Sequence, residues 1–262
     1  MNDNNAPLKN AVFNLRALAA ALQFLTVIPV PVQTGVKDME NSLLWFPVAG
    51  MITGTLAAIV FWLAHVLGVP PMMAGLLGVL VLSGSNGFFH LDGVADTADG
   101  FFSSRPRRQI MEIMRDSRIG TMGVVGLFFI LALKWSALSV IAPEAGWRAL
   151  VIAAVVARTA QVLAMGLLPY ARKEGGLASV FINNIEPLHL AVVSVFGLLC
   201  AAVFGGIGGI AALLTAGAAA AGFCAMCMKK IDGITGDTLG ALTELVEAVF
   251  LCAFSAWYAG VL

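Results

Sequence analysis

The chain has 262 residues, 60% of them apolar and 11% charged, with a mean hydropathy of +0.92. A water-soluble domain usually carries about a quarter of its residues as charges, so this composition excludes that class and points to a membrane protein. Lys plus Arg and Asp plus Glu both count 15, which excludes the basic excess of a nucleic-acid-binding protein.

In chain order, the first apolar stretch covers 11–29. It holds Asn14, Arg16 and Gln23 and ends at Pro29 and Pro31, so it reads as an interfacial or re-entrant helix and not as a crossing. No small-residue cleavage site follows it, which argues against a secretory signal. Seven further apolar stretches follow, at about 43–67, 71–89, 120–142, 148–168, 188–204, 209–228 and 239–260. Each reaches the roughly 20 residues that a bilayer core requires, and a helix satisfies its backbone polar groups there. The expected fold is all-α: one integral membrane domain over 1–262, a polytopic bundle of about seven spans plus the N-terminal helix. The glycine- and alanine-rich AAVFGGIGGIAALLTAGAAAAG reads as a tight turn joining a closely packed helix pair.

The loops sort by charge. Lys37 lies in the first, Arg105, Arg107, Arg108, Arg115 and Arg118 in 90–119, Arg172 and Lys173 in 169–187, and Lys229 and Lys230 before 238. The connections near 68–70, 143–147 and 205–208 carry no Lys or Arg. Seven crossings place the four basic loops on one side, which the positive-inside rule makes cytoplasmic.

The segment HLDGVADTADG, from His90, is the most informative. Asp92, Asp96 and Asp99 stand at i, i+4 and i+7, which on a helix confines them to an arc of about 60°. Carboxylates so gathered repel unless a cation compensates them, and hard ions such as Mg²⁺ or Mn²⁺ take such oxygen ligands. Gly93 and Gly100 beside them would let a phosphate substrate approach the backbone. Asp116 follows, flanked by Arg115 and Arg118, which are suited to clamping phosphate oxygens. A second polar cluster, KKIDGITGDTLGALTELVEAVF, offers Lys230, Asp232, Thr235 and Asp237 ahead of the last span, with backbone and hydroxyl donors for phosphate. Glu244 and Glu247 then enter an apolar helix, where each carboxylate needs a partner; Lys134 and Arg158, in other spans, are the candidates. Cys224 and Cys227 read as packing residues of a membrane helix. With no P-loop sequence, metal-assisted phosphoryl transfer is the favoured chemistry, and a cation carrier the competing class.

The blocks HLDGVADTADG (90–100), EIMRDSRIGTMG (112–123) and KIDGITGDTLGA (230–241), with FLTVIPVP, WFPVAG and LPYAR, resemble the adenosylcobinamide-GDP ribazoletransferases, or cobalamin 5′-phosphate synthases. The resemblance spans nearly the whole chain. It implies a Mg²⁺-dependent enzyme of the bacterial cytoplasmic (inner) membrane. Adenosylcobinamide-GDP would react with α-ribazole or its 5′-phosphate, giving adenosylcobalamin or its 5′-phosphate and GMP. On this reading Asp92, Asp96 and Asp99 hold metal on the diphosphate, and Asp116 and Asp237 complete the site, one of them as base. Arg115, Arg118 and Lys230 contact phosphate, with His90, Asp232 and Thr235 nearby. Membrane lipid and a second copy of the chain are further expected partners. The chemistry is similar to that of CDP-alcohol phosphotransferases, the alternative enzyme reading, although the aspartate spacing differs.

Overall fold

The computed structural model describes residues 14–172, 176, 179–182 and 185–260; residues 11–13 and Lys173 lie outside these. Among the described residues the elements are helical, and the one β feature is an isolated bridge between Tyr170 and Ile234.

Helix α1 (Leu15–Leu25) starts at Asn14, whose side chain accepts from Arg16 N, and buries Ala17, Ala20, Ala21 and Leu25 on one face. Eleven residues span about 16 Å, half a bilayer core, in keeping with a helix that does not cross. Its exit is pinned by Val27 N donating to Ser85 O at 2.9 Å. A short α2 (Val36–Glu40) and a 3-10 turn (Asn41–Trp45) run into α3 (Phe46–Val66). Helices α4 (Pro71–Gly84) and α5 (Phe89–Phe101) meet at 88°. Gly87 (φ 64°) and Phe88 (φ 63°) make the corner; a left-handed Phe is uncommon and marks a constrained turn. After α6 (Arg107–Ile113) come α7 (Thr121–Val140), α8 (Pro143–Leu167), the four-residue α9 (Ser179–Ile182), α10 (Pro187–Ile231) and α11 (Gly236–Tyr258). Pro47, Pro71, Pro143 and Pro187 sit in the first turns of α3, α4, α8 and α10. There the missing N–H costs nothing and the fixed φ favours the helix.

Helix α8 is the centre of the bundle, buried continuously from Ala149 to Thr159, with α3, α10 and α11 around it. By contrast α7 exposes Phe128, Phe129 and Leu133, as a lipid-facing span does. Among the described residues, five helical segments are long and apolar enough to cross a membrane, or six when the bent α4–α5 pair forms one span. The protein is thus a multi-pass helical membrane protein, but the expected count of seven is not reached by this measure. The difference lies in α10, which carries a break at Gly206 (φ 57°, ψ −143°), a conformation that glycine adopts and other residues resist. Leu190 near its start lies against Gly166, its end is followed by Ile234 N donating to Pro169 O, and Gly205 lies against Ile152. Both ends of α10 therefore return to the same end of α8.

Candidate active site

The acidic helix forms as its spacing predicts: Asp92, Asp96 and Asp99 lie on α5, with Asp92 exposed and the other two half-buried. The opposite face of α5 is buried through His90, Gly93, Val94, Thr97 and Phe101. At Gly93 an added Cβ would sit 2.5 Å from the Asp237 carbonyl oxygen, so α5 and α11 touch backbone to backbone. Gly100 likewise faces Met114. These two glycines close helix contacts, which corrects the expectation that they admit substrate. The contact at Gly93 brings Asp237, the second residue of α11, to the acidic cluster. Asp96 lies within electrostatic range of Asp92, Asp237 and Asp99, and of Arg172.

Arg172 was read from sequence only as a loop charge. Its Nη2 donates to Asp237 Oδ2 at 2.5 Å, and both side chains are largely buried. Arg115 also acts on Asp237 electrostatically. Burial pushes the Tyr170 phenol above its ordinary range, which keeps it a neutral donor near Arg172 and Asp237. Asp99 has a different task. Its two carboxylate oxygens accept from Gly120 N (2.7 Å) and Gly123 N (2.8 Å), so it caps the start of α7.

Several other residues singled out in the sequence are engaged apart from this cluster. Arg118 donates to both oxygens of Asp116, and this pairing holds the Asp116 carboxyl down at about 2. The pair is at the surface. Lys230 Nζ donates to Phe101 O at 2.8 Å, satisfying the C-terminal end of α5. Asp232 pairs with Arg107 at 2.5 Å. Thr235 is the fully buried N-cap of α11; it exchanges hydrogen bonds with Thr238 and its Oγ1 donates to Asp237 Oδ2 at 3.3 Å, so it joins the cluster by holding Asp237 and is not an open phosphate donor.

A cavity of about 380 Å³ opens between α1, the start of α3, α5, α8, α9 and α11, with Asp92 and Asp237 in its wall. Gln161 of α8 also lines it. A glutamine within an apolar span is the kind of signal that marks a functional site, and it passed unnoticed in the sequence. Phe24, Phe46, Phe89 and Phe181 form the apolar side.

Beneath the cavity lies a buried charge network. Lys134 Nζ donates to Glu244 Oε2 and Glu247 Oε2, both at 2.5 Å. Arg158 feels both carboxylates and donates to Gln161 Oε1 at 3.3 Å. The Arg158 Nη1 also meets His90 Nε2. Two cations thus face two carboxylates, and of the two candidates Lys134 is the direct partner. His90 is fully buried against Gly240 and does not line the cavity; it links the network to α5.

The donors for a metal are hard carboxylate oxygens, the right chemistry for Mg²⁺. Among the described residues no three His, Cys, Asp or Glu side chains converge to hold an ion by themselves.

The family model for cobalamin-5-phosphate synthase (CobS) matches residues 17–255. The chain belongs to this family. Adenosylcobinamide-GDP ribazoletransferases are similar along almost their full lengths. That of Clostridium novyi (strain NT) is 35% identical over 91% of this chain and 96% of its own. For Chlorobaculum tepidum the figures are 36%, 94% and 97%, and for Klebsiella pneumoniae (strain 342) 37%, 91% and 99%. No solved structure matches the chain. Membership makes the chain a transferase of cobalamin biosynthesis. The family blocks quoted from the sequence converge in space: HLDGVADTADG supplies Asp92 and Asp96, LPYAR supplies Arg172, and KIDGITGDTLGA supplies Asp237.

Proposed function

We propose that the chain catalyses transfer of the adenosylcobinamide phosphate group from adenosylcobinamide-GDP to α-ribazole or its 5′-phosphate, with release of GMP. The observation that carries this reading is that Asp237, held by its ion pair with Arg172, shares one side of a cavity with Asp92, with Asp96 alongside. An acceptor hydroxyl forms the new oxygen–phosphorus bond, and the phosphorus–oxygen bond to GMP breaks. Of the two candidate bases, Asp237 lines the cavity and Asp116 does not, so Asp237 takes the hydroxyl proton. Arg172 holds Asp237 in place and offers its guanidinium to phosphate oxygens. Asp92 and Asp96 would hold Mg²⁺ with the diphosphate, which neutralises charge developing on the leaving phosphate. Asp99 supports the cluster through the α7 cap.

The end of the bundle that bears this site also bears Arg107, Arg115, Arg118, Arg172 and Lys230, and the positive-inside rule then turns it to the cytoplasm of the inner membrane. The test is GMP release by purified protein given adenosylcobinamide-GDP and α-ribazole, with and without Mg²⁺, beside Asp96→Asn. Metal-dependent release lost in the mutant is the expected result. No release from folded protein with either form of ribazole would refute the reading. Substrate-independent ion flux in sealed vesicles would favour a carrier.

A further inference from the structure

The cavity beside the aspartates has a composition that the transfer step alone does not explain. Its polar side is Asp92 and Asp237. Its other side is an aromatic cluster: the Phe181 ring lies 4.9 Å from Phe24, tilted, and 5.4 Å from Phe46, edge-on. The rings come from three separate elements, α1, the start of α3 and the short α9. Their partners were drawn from distant parts of the chain to line one space.

The polar groups at the aromatic end are few. Gln23 is committed to the wall: its amide donates to Val30 O and Val32 O, and its oxygen accepts from Thr34. Gln161 turns its oxygen to Arg158, which leaves the NH₂ as the other prong of a fixed amide. A guanine edge, with several donors and acceptors, would enter this end with most of them unmatched, and unmatched buried polar groups are costly. A base of low polarity with one ring-nitrogen acceptor suits it. Volume argues the same way. About 380 Å³ is at the lower end for a small-molecule site, room for one nucleoside and far too little for a corrinoid.

We propose that this cavity is the acceptor subsite. The aromatic base of the ribazole-type nucleoside lies against Phe24, Phe46 and Phe181, and its ribose points to Asp92 and Asp237. The corrinoid donor stays outside and presents only its phosphates. This inference rests on the proposed transfer reaction and deepens it.

The test uses full-length protein in detergent and two variants from different walls. Phe24→Ala removes a half-exposed ring, and Met165→Phe narrows the cavity from α8. Equilibrium dialysis with radiolabelled α-ribazole, in the absence of donor, reads binding directly; GMP release reads KM for each substrate. The expected result is α-ribazole affinity weakened about tenfold or more in both variants, the scale of one lost base–aromatic contact. KM for α-ribazole rises in parallel while KM for adenosylcobinamide-GDP stays within about twofold. A shift in the donor KM alone, equal shifts in both, or unchanged α-ribazole binding in variants that elute like wild type would overturn the proposal. If wild type binds α-ribazole and the variants do not, yet no GMP is released, the subsite stands and the transfer reaction falls. Wild type that fails to bind α-ribazole but releases GMP overturns the subsite alone.

Discussion

Replacing Lys134 by Met removes the cation from the bilayer-level network while keeping the length of the side chain. The ammonium lies 2.5 Å from a carboxylate oxygen of Glu244 and of Glu247, and all three side chains are essentially unexposed. Glu244 Oε1 has no hydrogen-bond partner, so the ammonium contact is what compensates that group. Removing one partner of a buried ion pair typically costs about 3–5 kcal/mol, because a charge is left stranded. At roughly 2–4 °C per kcal/mol for a chain of this size, the midpoint of thermal unfolding should fall by about 6–20 °C. Tryptophan fluorescence of purified protein in detergent reads it. The double variant Lys134→Met, Glu244→Gln removes one cation and one carboxylate, leaves Arg158 with Glu247, and should recover most of the loss, since no desolvated charge then lacks a counter-charge. A single variant within about 2 °C of wild type, or a double variant as unstable as the single, would refute the account of this network.

Three further outcomes follow from the site. Arg172→Ala should lower kcat for GMP release by roughly 10²–10³-fold, the scale of one lost electrostatic contact, with Arg172→Lys recovering only part; an unchanged kcat would remove Arg172 from the site. Gly93→Ala forces α5 from α11 and should cost about 1–3 kcal/mol, with activity falling further than stability; wild-type values of both would deny the backbone contact. Asp99→Ala should cost about 0.5–2 kcal/mol through the lost cap of α7, while Asp99→Asn, whose amide oxygen can accept from only one of Gly120 N and Gly123 N, should lose about half as much in thermal unfolding. Equal losses in the two would assign Asp99 to charge and not to capping.

The acidic helix was legible because its evidence is local: three aspartates at helical spacing within one short segment. The partner choices were not, because they join distant residues. Nothing in the chain order pairs Arg172 with Asp237, 65 positions away, or marks Asp99 as the cap of a helix that starts 22 residues later. The carboxylates at 244 and 247 announced a buried cation, and two were in view, but only packing selects Lys134 as the direct contact. Arg118 and Asp116, two positions apart in the sequence, satisfy each other at the surface. The aromatic cavity is assembled from rings on separate elements, so no single segment carries its pattern. The span count diverged at α10, where one glycine breaks an otherwise unbroken helical stretch.

The buried network also dictates an order of assembly. Lys134 is synthesised 110 residues before Glu244, an interval of about 5–20 s at ordinary translation rates. Throughout it, α7 and α8 each hold a cation with no counter-charge at membrane depth, at roughly 2.5–3.5 kcal/mol apiece on insertion scales. These helices cannot be released into lipid one at a time on equal terms. They have to be retained, by the insertion machinery or by their long side chains reaching toward the surface, until α11 arrives with its two carboxylates. The later helix thus makes the earlier ones compatible with the bilayer.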